Sequence, residues 1–370
     1  MSGQPLATGE DLDRLVAAAA EKNARRHPGL VVGAVDAHRT RQAVAGVGHI
    51  RLPAGPAPTD TTLWEIGSIT KVFTGLLLAI AVVRREVTLD TPVRELLPTG
   101  TTVPSRDGME ITLEHLTTHR SGLPRSPVGF RTEVRTVLLG RGNPYSGITD
   151  ERLLEFVGRT ELRRTPGTGR IAYSNVGGGL LGLALVYRAG VSSFVELVRQ
   201  RICEPLAMAQ TTVLEEAGVD QLATGYTARG QPVEHWTLTG LAGAGALVSS
   251  AMDMLRFLTA QLKPESSALA EAIKLGQTER YGGRRFGIGL GWIRMPGRSG
   301  MMLWHNGGTG GFRSFAGIVP ERSFGVVMLA NNRRSCDRAA VRLLSELSGR
   351  RSTSSRPPRR PARTRPHYWE

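Results

Sequence analysis

Ser68 and Lys71 stand three apart in WEIGSITKVFTG (64–75), so on a helix the hydroxyl and the amine share a face. A serine hydroxyl attacks a carbonyl well only when a base takes its proton. Lysine is such a base if its pKa falls from about 10.4 toward neutrality, and a shift of about 3 units corresponds to roughly 4 kcal/mol. Burial and a neighbouring cation both act in that direction. Val72, Phe73 and Leu76 provide apolar surroundings consistent with burial of Lys71. A serine at the start of the helix would also meet the positive end of its dipole, which favours a developing alkoxide. By itself S-x-x-K is a common tetrad, and an exposed helix with a solvated lysine has the same pattern.

Two more stretches place polar side chains beside glycines. RIAYSNVGGG (170–179) carries Tyr173 and Asn175, and LWHNGGTGGF (303–312) carries His305, Gly307 and Gly308. Structural alternatives exist for each: an interface tyrosine with a satisfied hydroxyl, a packed strand histidine, glycines that only turn the chain. A glycine at 308 fits a close substrate approach or an unusual backbone angle.

The elements that must bring these residues together follow from hydrophobic patterning. Segments 30–37 and 42–50 read as strands joined by the polar turn HRTR, and strands are expected around 301–305, 312–320 and 324–332. The last two are joined through Pro320, Glu321 and Arg322, which fits an antiparallel hairpin. Helices are expected over 69–85, 112–119, 150–158, 176–189, 192–203 and 250–262. This layout is α+β, with one antiparallel sheet built from both ends of the chain and flanked by helices. Residues 28–349 form the main domain, with a mainly helical region of about 86–240 inserted between the sheet-forming ends. Residues 1–27 are expected as an N-terminal helical extension.

Composition narrows the function classes. The 370 residues are 40% hydrophobic and 21% charged, as in a globular protein with a sizeable core. LLLAIAVV (76–83) is the most apolar run, far short of the roughly 20 residues needed to span a bilayer, and reads as a buried helix. No basic-then-apolar segment opens the chain, so no secretory signal is visible and a cytoplasmic location is expected. Two cysteines, Cys203 and Cys336, make no disulfide framework and are expected as reduced, buried thiols. Of the net charge of +15, +6 falls in the Arg- and Pro-rich tail 350–370, which is expected to be disordered. The remaining +9 is a moderately basic surface without interleaved aromatics, so nucleic-acid binding is not expected from the folded part.

S-x-x-K at 68, Y-x-N at 173 and H-x-G at 305 follow the order and spacing of the penicillin-recognising serine enzymes. The chain resembles their Tyr-containing branch, which includes class C β-lactamases, D-alanyl-D-alanine carboxypeptidases and related esterases of family VIII. ITLEHLTTHRSGLP (111–124), ICEPLAMAQTTV (202–213), GAGALVSSAMDMLRFL (243–258) and FGIGLGW (286–292) extend the resemblance over about residues 28–345. It implies a β-lactamase/transpeptidase-like fold and acyl transfer through an acyl-serine, with Ser68, Lys71 and Tyr173 catalytic. Asn175, His305, Gly307 and Gly308 would then bind substrate, with the backbone N–H groups of Ser68 and Gly308 as oxyanion donors. The resemblance implies no cofactor and no metal, and a small ester, amide or β-lactam-like substrate.

One departure bears on the substrate. Where many β-lactamases have Lys-Thr-Gly, this chain has His305-Asn306-Gly307. An imidazole, charged only below about pH 6.5, would replace a permanent ammonium, and an asparagine would replace the hydroxyl. The expectation is an ester or amide hydrolase rather than an efficient β-lactamase. An acyltransferase using the same residues, a true β-lactamase or D-Ala-D-Ala peptidase, and a non-catalytic binding protein remain as alternatives. His115 and His119, four apart on an expected helix, lack a third ligand and an H-E-x-x-H pattern, so they are not read as a metal site. GAGAL (243–247) is read as a tight turn before a helix.

Overall fold

The fold is described from a computed structural model, over residues 9–129, 142–218, 220–283 and 286–349. Its centre is an eight-stranded sheet of order β2-β1-β13-β12-β11-β10-β9-β8. The strands are β1 (Gly29–Asp36), β2 (Arg41–Gly48), β8 (Tyr281–Gly283), β9 (Phe286–Ile288), β10 (Ile293–Gly297), β11 (Gly300–Gly308), β12 (Arg313–Val319) and β13 (Phe324–Ala330). All pairings are antiparallel, and β1 joins the two ends of the chain by pairing with β13, Leu30 opposite Ala330 and Asp36 opposite Phe324. The β12–β13 hairpin turns through Pro320–Arg322, with Ser323 in the left-handed region at φ 59°.

Every residue of β1 is buried, because helices cover the sheet on both faces. On one face Val31 and Val35 meet Leu255 and Leu258 of the helix Ala251–Leu262 within the main core. On the other, Leu30, Val32 and Ala34 join Leu12, Val16 and Ala20 of α1 (Gly9–Asn23) and Leu343, Leu344 and Leu347 of the helix Asp337–Gly349. The helix expected in the first 27 residues is therefore part of the sheet's cover. The Arg-rich tail 350–370 lies outside the described residues.

The chain between the sheet-forming ends holds α2 (Thr70–Val83), α3 (Leu113–Thr117), α4 (Asp150–Gly158), α5 (Asn175–Ala189) and α6 (Phe194–Val198). LLLAIAVV lies inside α2, where Thr70–Ala81 are all buried, which explains its apolar character without a membrane. Among the described residues no single helix is long and apolar enough to cross a bilayer. A small second sheet ties this region to the site: β3 (Trp64–Glu65) and β4 (Thr212–Val213) flank β7 (Leu247–Ser249). A short helix, α7 (Ala242–Gly245), runs straight into β7. GAGAL is thus a helical turn entering a strand rather than a turn before a helix. Cys203 and Cys336 are buried free thiols, and burial pushes the Cys203 pKa up to about 12.

Candidate active site

Ser68 sits in a 3-10 turn, Gly67–Ile69, between β3 and α2. Hydrogen bonds hold that turn from both sides: the Ile66 N–H donates to Leu247 O at 3.0 Å, and the Ser314 hydroxyl donates to Ile66 O at 2.7 Å. Gly67 adopts φ 50°, a left-handed conformation that suits glycine, and a Cβ there would stand 2.8 Å from Gly308 N. The turn therefore lies against the end of β11, bringing the Ser68 and Gly308 backbones to one place at the head of α2.

Lys71 is 4% exposed on the first turn of α2. Its Nζ lies 2.8 Å from Asn175 Oδ1, 2.7 Å from Ala244 O and 3.3 Å from Ser68 Oγ. Burial, then the nearby Arg125 guanidinium, hold its pKa well below the usual lysine value. A neutral amine has two N–H donors and one lone pair. Two carbonyl oxygens, Asn175 and Ala244, take the donors, which leaves the lone pair in the direction of Ser68 Oγ. The arrangement suits a base for that hydroxyl.

Tyr173 lies just before α5 and donates its hydroxyl to Ser68 Oγ at 2.7 Å. Ser174 caps α5, accepting from Gly177 N at 2.9 Å and donating to Pro124 O at 2.6 Å. Asn175 opens the helix and its amide faces Lys71. Thus the Y-S-N triplet gives one residue to the proton path, one to the helix cap and one to the lysine. The glycines that follow are not a turn: they lie in α5, and a Cβ on Gly178 would stand 3.3 Å from Ala244 Cα. Their smoothness lets α7 close on α5 and deliver the Ala244 carbonyl.

His119 joins this cluster unforeseen. Helix α3 ends at Thr117 and His119 takes φ 57°, so His115 and His119 do not share a helix face. The His119 ring packs on Tyr173 with centroids 4.6 Å apart, and its Nδ1 accepts from Ser174 N at 3.3 Å. Burial, then the charge of Lys71, keep its pKa well below the usual histidine value.

The opposite wall is β11 and β12. His305 points into the fold, 3% exposed, and its Nδ1–H donates to Asn306 O at 2.6 Å. Burial, then the charge of Lys71, bring its pKa down to about 3, so it is a neutral imidazole at any working pH. The expectation of a cation there below pH 6.5 is corrected. Asn306, one residue on, points to the other side of the strand and donates to Asp337 Oδ2 at 2.8 Å, so it does not take the place of a substrate-binding hydroxyl. A Cβ on Gly307 would stand 2.0 Å from Ile66 O, so this glycine is where strand and nucleophile turn touch.

These residues line one cleft of about 450 Å³, shared with Tyr145, Trp236, Arg125, Arg313 and Arg333. All seven residues singled out from the sequence meet here: Ser68, Tyr173, Asn175, His305, Gly307 and Gly308 on the surface, and Lys71 directly behind Ser68. Ala244, His119, Arg125 and the second-strand arginine Arg313 were not foreseen. A backbone carbonyl leaves no mark in residue type, but the hairpin register could have found Arg313, since it sits opposite Gly308. Among the described residues no cluster of His, Cys, Asp and Glu could hold a metal ion.

A family model described as Beta-lactamase matches residues 12–348. The D-alanyl-D-alanine-carboxypeptidase/endopeptidase AmpH of Escherichia coli (strain K12) is 28% identical over 288 residues, 74% of this chain and 71% of that protein. A beta-lactamase of the same strain is 29% identical over 309 residues, 74% of this chain and 76% of that one. Among solved structures, the class C beta lactamase from Rhodobacter sphaeroides is 26% identical and superposes with a TM-score of 0.74, over 90% of this chain and 98% of the other.

Proposed function

The chain belongs to the beta-lactamase family, and from that premise we propose that it is an esterase whose acylated residue is Ser68. It is a β-lactamase-related serine hydrolase acting on ester or amide bonds. The observation that carries the assignment of Ser68 is its hydroxyl between two proton carriers, Tyr173 OH at 2.7 Å and Lys71 Nζ at 3.3 Å.

In the proposed reaction the Ser68 proton passes to neutral Lys71, directly or through Tyr173, as Oγ bonds to the substrate carbonyl carbon. The carbonyl oxygen becomes an oxyanion and accepts from the Ser68 and Gly308 backbone N–H groups, where one donor is typically worth about 3 kcal/mol. Tyr173 then hands a proton to the departing oxygen or nitrogen as that bond breaks, leaving acyl-Ser68. A water attacks the acyl carbon, its proton enters the Tyr173–Lys71 pair, and Ser68 Oγ leaves protonated. Asn175 holds Lys71 in place through its carbonyl oxygen.

Preference for esters rests on the β11 wall. A neutral His305 brings no charge to the position where Lys-Thr-Gly enzymes carry an ammonium. The test is kcat/KM for a p-nitrophenyl ester against a chromogenic cephalosporin. The ester should be favoured strongly, and a preference for the cephalosporin would overturn the esterase reading.

A further inference from the structure

Two loops are tied together beside the cleft. Asn143 Nδ2 donates to Thr237 O at 2.6 Å, and the Gly240 N–H donates to Ile148 O at 2.8 Å. A Cβ on Gly240 would stand 2.4 Å from Thr149 O, so the close approach needs glycine there. The paired loops carry Tyr145 and Trp236, both buried and both lining the cleft, with ring centroids 5.5 Å apart in an edge-to-face pair. A buried carboxylate fixes the second loop. Glu65, three residues before Ser68, accepts from His235 Nδ1–H at 2.6 Å and from the Trp236 N–H at 3.4 Å. The indole also reaches the strand wall, where a Cβ on Gly310 would stand 2.5 Å from Trp236 Nε1. Trp236 thus spans from Tyr145 to the turn that follows β11. Its Nε1 has no hydrogen-bond partner among the described residues, so packing and main-chain ties place the ring. Leu238 and Leu241, from the same loop, add aliphatic surface to the cleft.

We propose that Tyr145, Trp236, Leu238 and Leu241 form a subsite for an uncharged aryl group on the acyl side of the scissile ester or amide, with Trp236 as its specificity-determining residue. This rests on the reading of Ser68 as the acylated residue. Tyr173, which hands the proton to the leaving group, has His119, Arg125 and His305 around its ring. The aromatic pair meets Asn175 and Gly310, with Asn175 Nδ2 donating to Tyr145 OH at 3.5 Å. An acyl substituent directed away from Tyr173 therefore runs toward Tyr145 and Trp236. A ring in that place gains edge or face contacts with two aromatics. The ties between the loops set those side chains before substrate arrives, so binding adds little ordering cost. A cleft of about 450 Å³ has room for the ring together with the scissile group.

Two substrate pairs test the proposal. p-Nitrophenyl 3-phenylpropanoate and p-nitrophenyl propanoate differ by a ring on the acyl side, and 2-phenylethyl acetate and ethyl acetate differ by a ring on the leaving side. The first pair should favour the aryl member by about tenfold in kcat/KM, mostly through KM, and the second pair should show a smaller preference. Trp236→Ala should bring the acyl-side ratio close to one, and Trp236→Phe should keep part of it. Tyr145→Leu should lower the ratio, whereas Tyr145→Phe, which keeps the ring, should preserve it. 2-Phenylethylboronic acid and ethylboronic acid give the acyl-side comparison as dissociation constants on the unsubstituted enzyme, independent of how any variant folds. Ratios near one for the acyl-side esters and the boronic acids would overturn the subsite. So would a larger ratio in the leaving-side pair, or an acyl-side ratio unchanged in Trp236→Ala. A fluorophosphonate probe separates the two layers: failure to label Ser68 overturns the reading of the site, whereas labelling with ratios near one overturns the subsite alone.

Discussion

On the helical wall of the cleft, the polar atoms of Ser68, Lys71, Tyr173 and Asn175 are hydrogen-bonded to one another and to the Ala244 carbonyl. On the strand wall, His305 turns its N–H back to its own chain at Asn306 O, and Arg313 lies over Gly308 at the edge of the open cleft. The first wall is a closed set of contacts with Ser68 at its end. The second is less closed, and Arg313 lines the cleft. Changes on the helical wall should therefore act on kcat, and changes on the strand wall on KM and on which substrate is preferred.

The largest effect should come from the proton path. Lys71→Ala and Tyr173→Phe should each lower kcat by about 10³- to 10⁴-fold, and the double variant should lose little more. Independent, multiplying losses in a double-mutant cycle would break the closed-set picture of this wall.

Next comes the seam between the walls. In Gly307→Ala the new methyl would meet Ile66 O at 2.0 Å and Ser314 Oγ at 2.4 Å, where backbone cannot step aside. The cost should be about 2–3 kcal/mol of stability, read as a lowered Tm together with slowed acylation. Gly308→Ala meets only the far end of Arg313, which can swing away, so its Tm should fall less. A larger fall for Gly308→Ala would place the rigid contact at the wrong glycine.

A smaller effect follows from His305. Its folded pKa of about 3 lies below the ordinary histidine value near 6.5. Between those values the unfolded chain takes up a proton that the folded chain refuses, so stability falls as pH falls through this window. His305→Gln removes that term and should flatten the decline of Tm with pH, by at most about 1.4 kcal/mol per pH unit. An unchanged slope would mean that His305 accepts its proton in the folded protein. The subtlest change is Arg125→Gln. Removing a cation that depresses Lys71 raises the lysine pKa, so the ascending limb of kcat/KM against pH should move to higher pH. A limb that stays in place would leave burial as the whole cause.

The helical wall was more legible in the sequence than the strand wall. S-x-x-K falls within one helical turn and Y-x-N spans the cap of α5, so local geometry converts their spacing into proximity. Ala244 acts through its carbonyl, which any residue supplies, and the smooth glycine face of α5 that admits it read equally well as a turn. His119 was misplaced because α3 stops after five residues, and the left-handed turn at 119 sends its ring to Tyr173 instead of along a helix. On the strand wall, H-x-G identified the strand, but the character of His305 depends on burial, which residue type does not report. The sheet itself was legible from both ends because its strands are apolar and its last hairpin is marked by Pro320. The short strands β8 to β10 were missed; Gly and Pro interrupt them.

The most direct measurement of the central claim is mass spectrometry of the protein after reaction with a fluorophosphonate probe. One adduct is predicted, on the peptide that contains Ser68, formed faster as pH rises through the lowered Lys71 pKa and lost in Lys71→Ala. An adduct on a different serine, or labelling that continues unchanged in Ser68→Ala, would contradict the account.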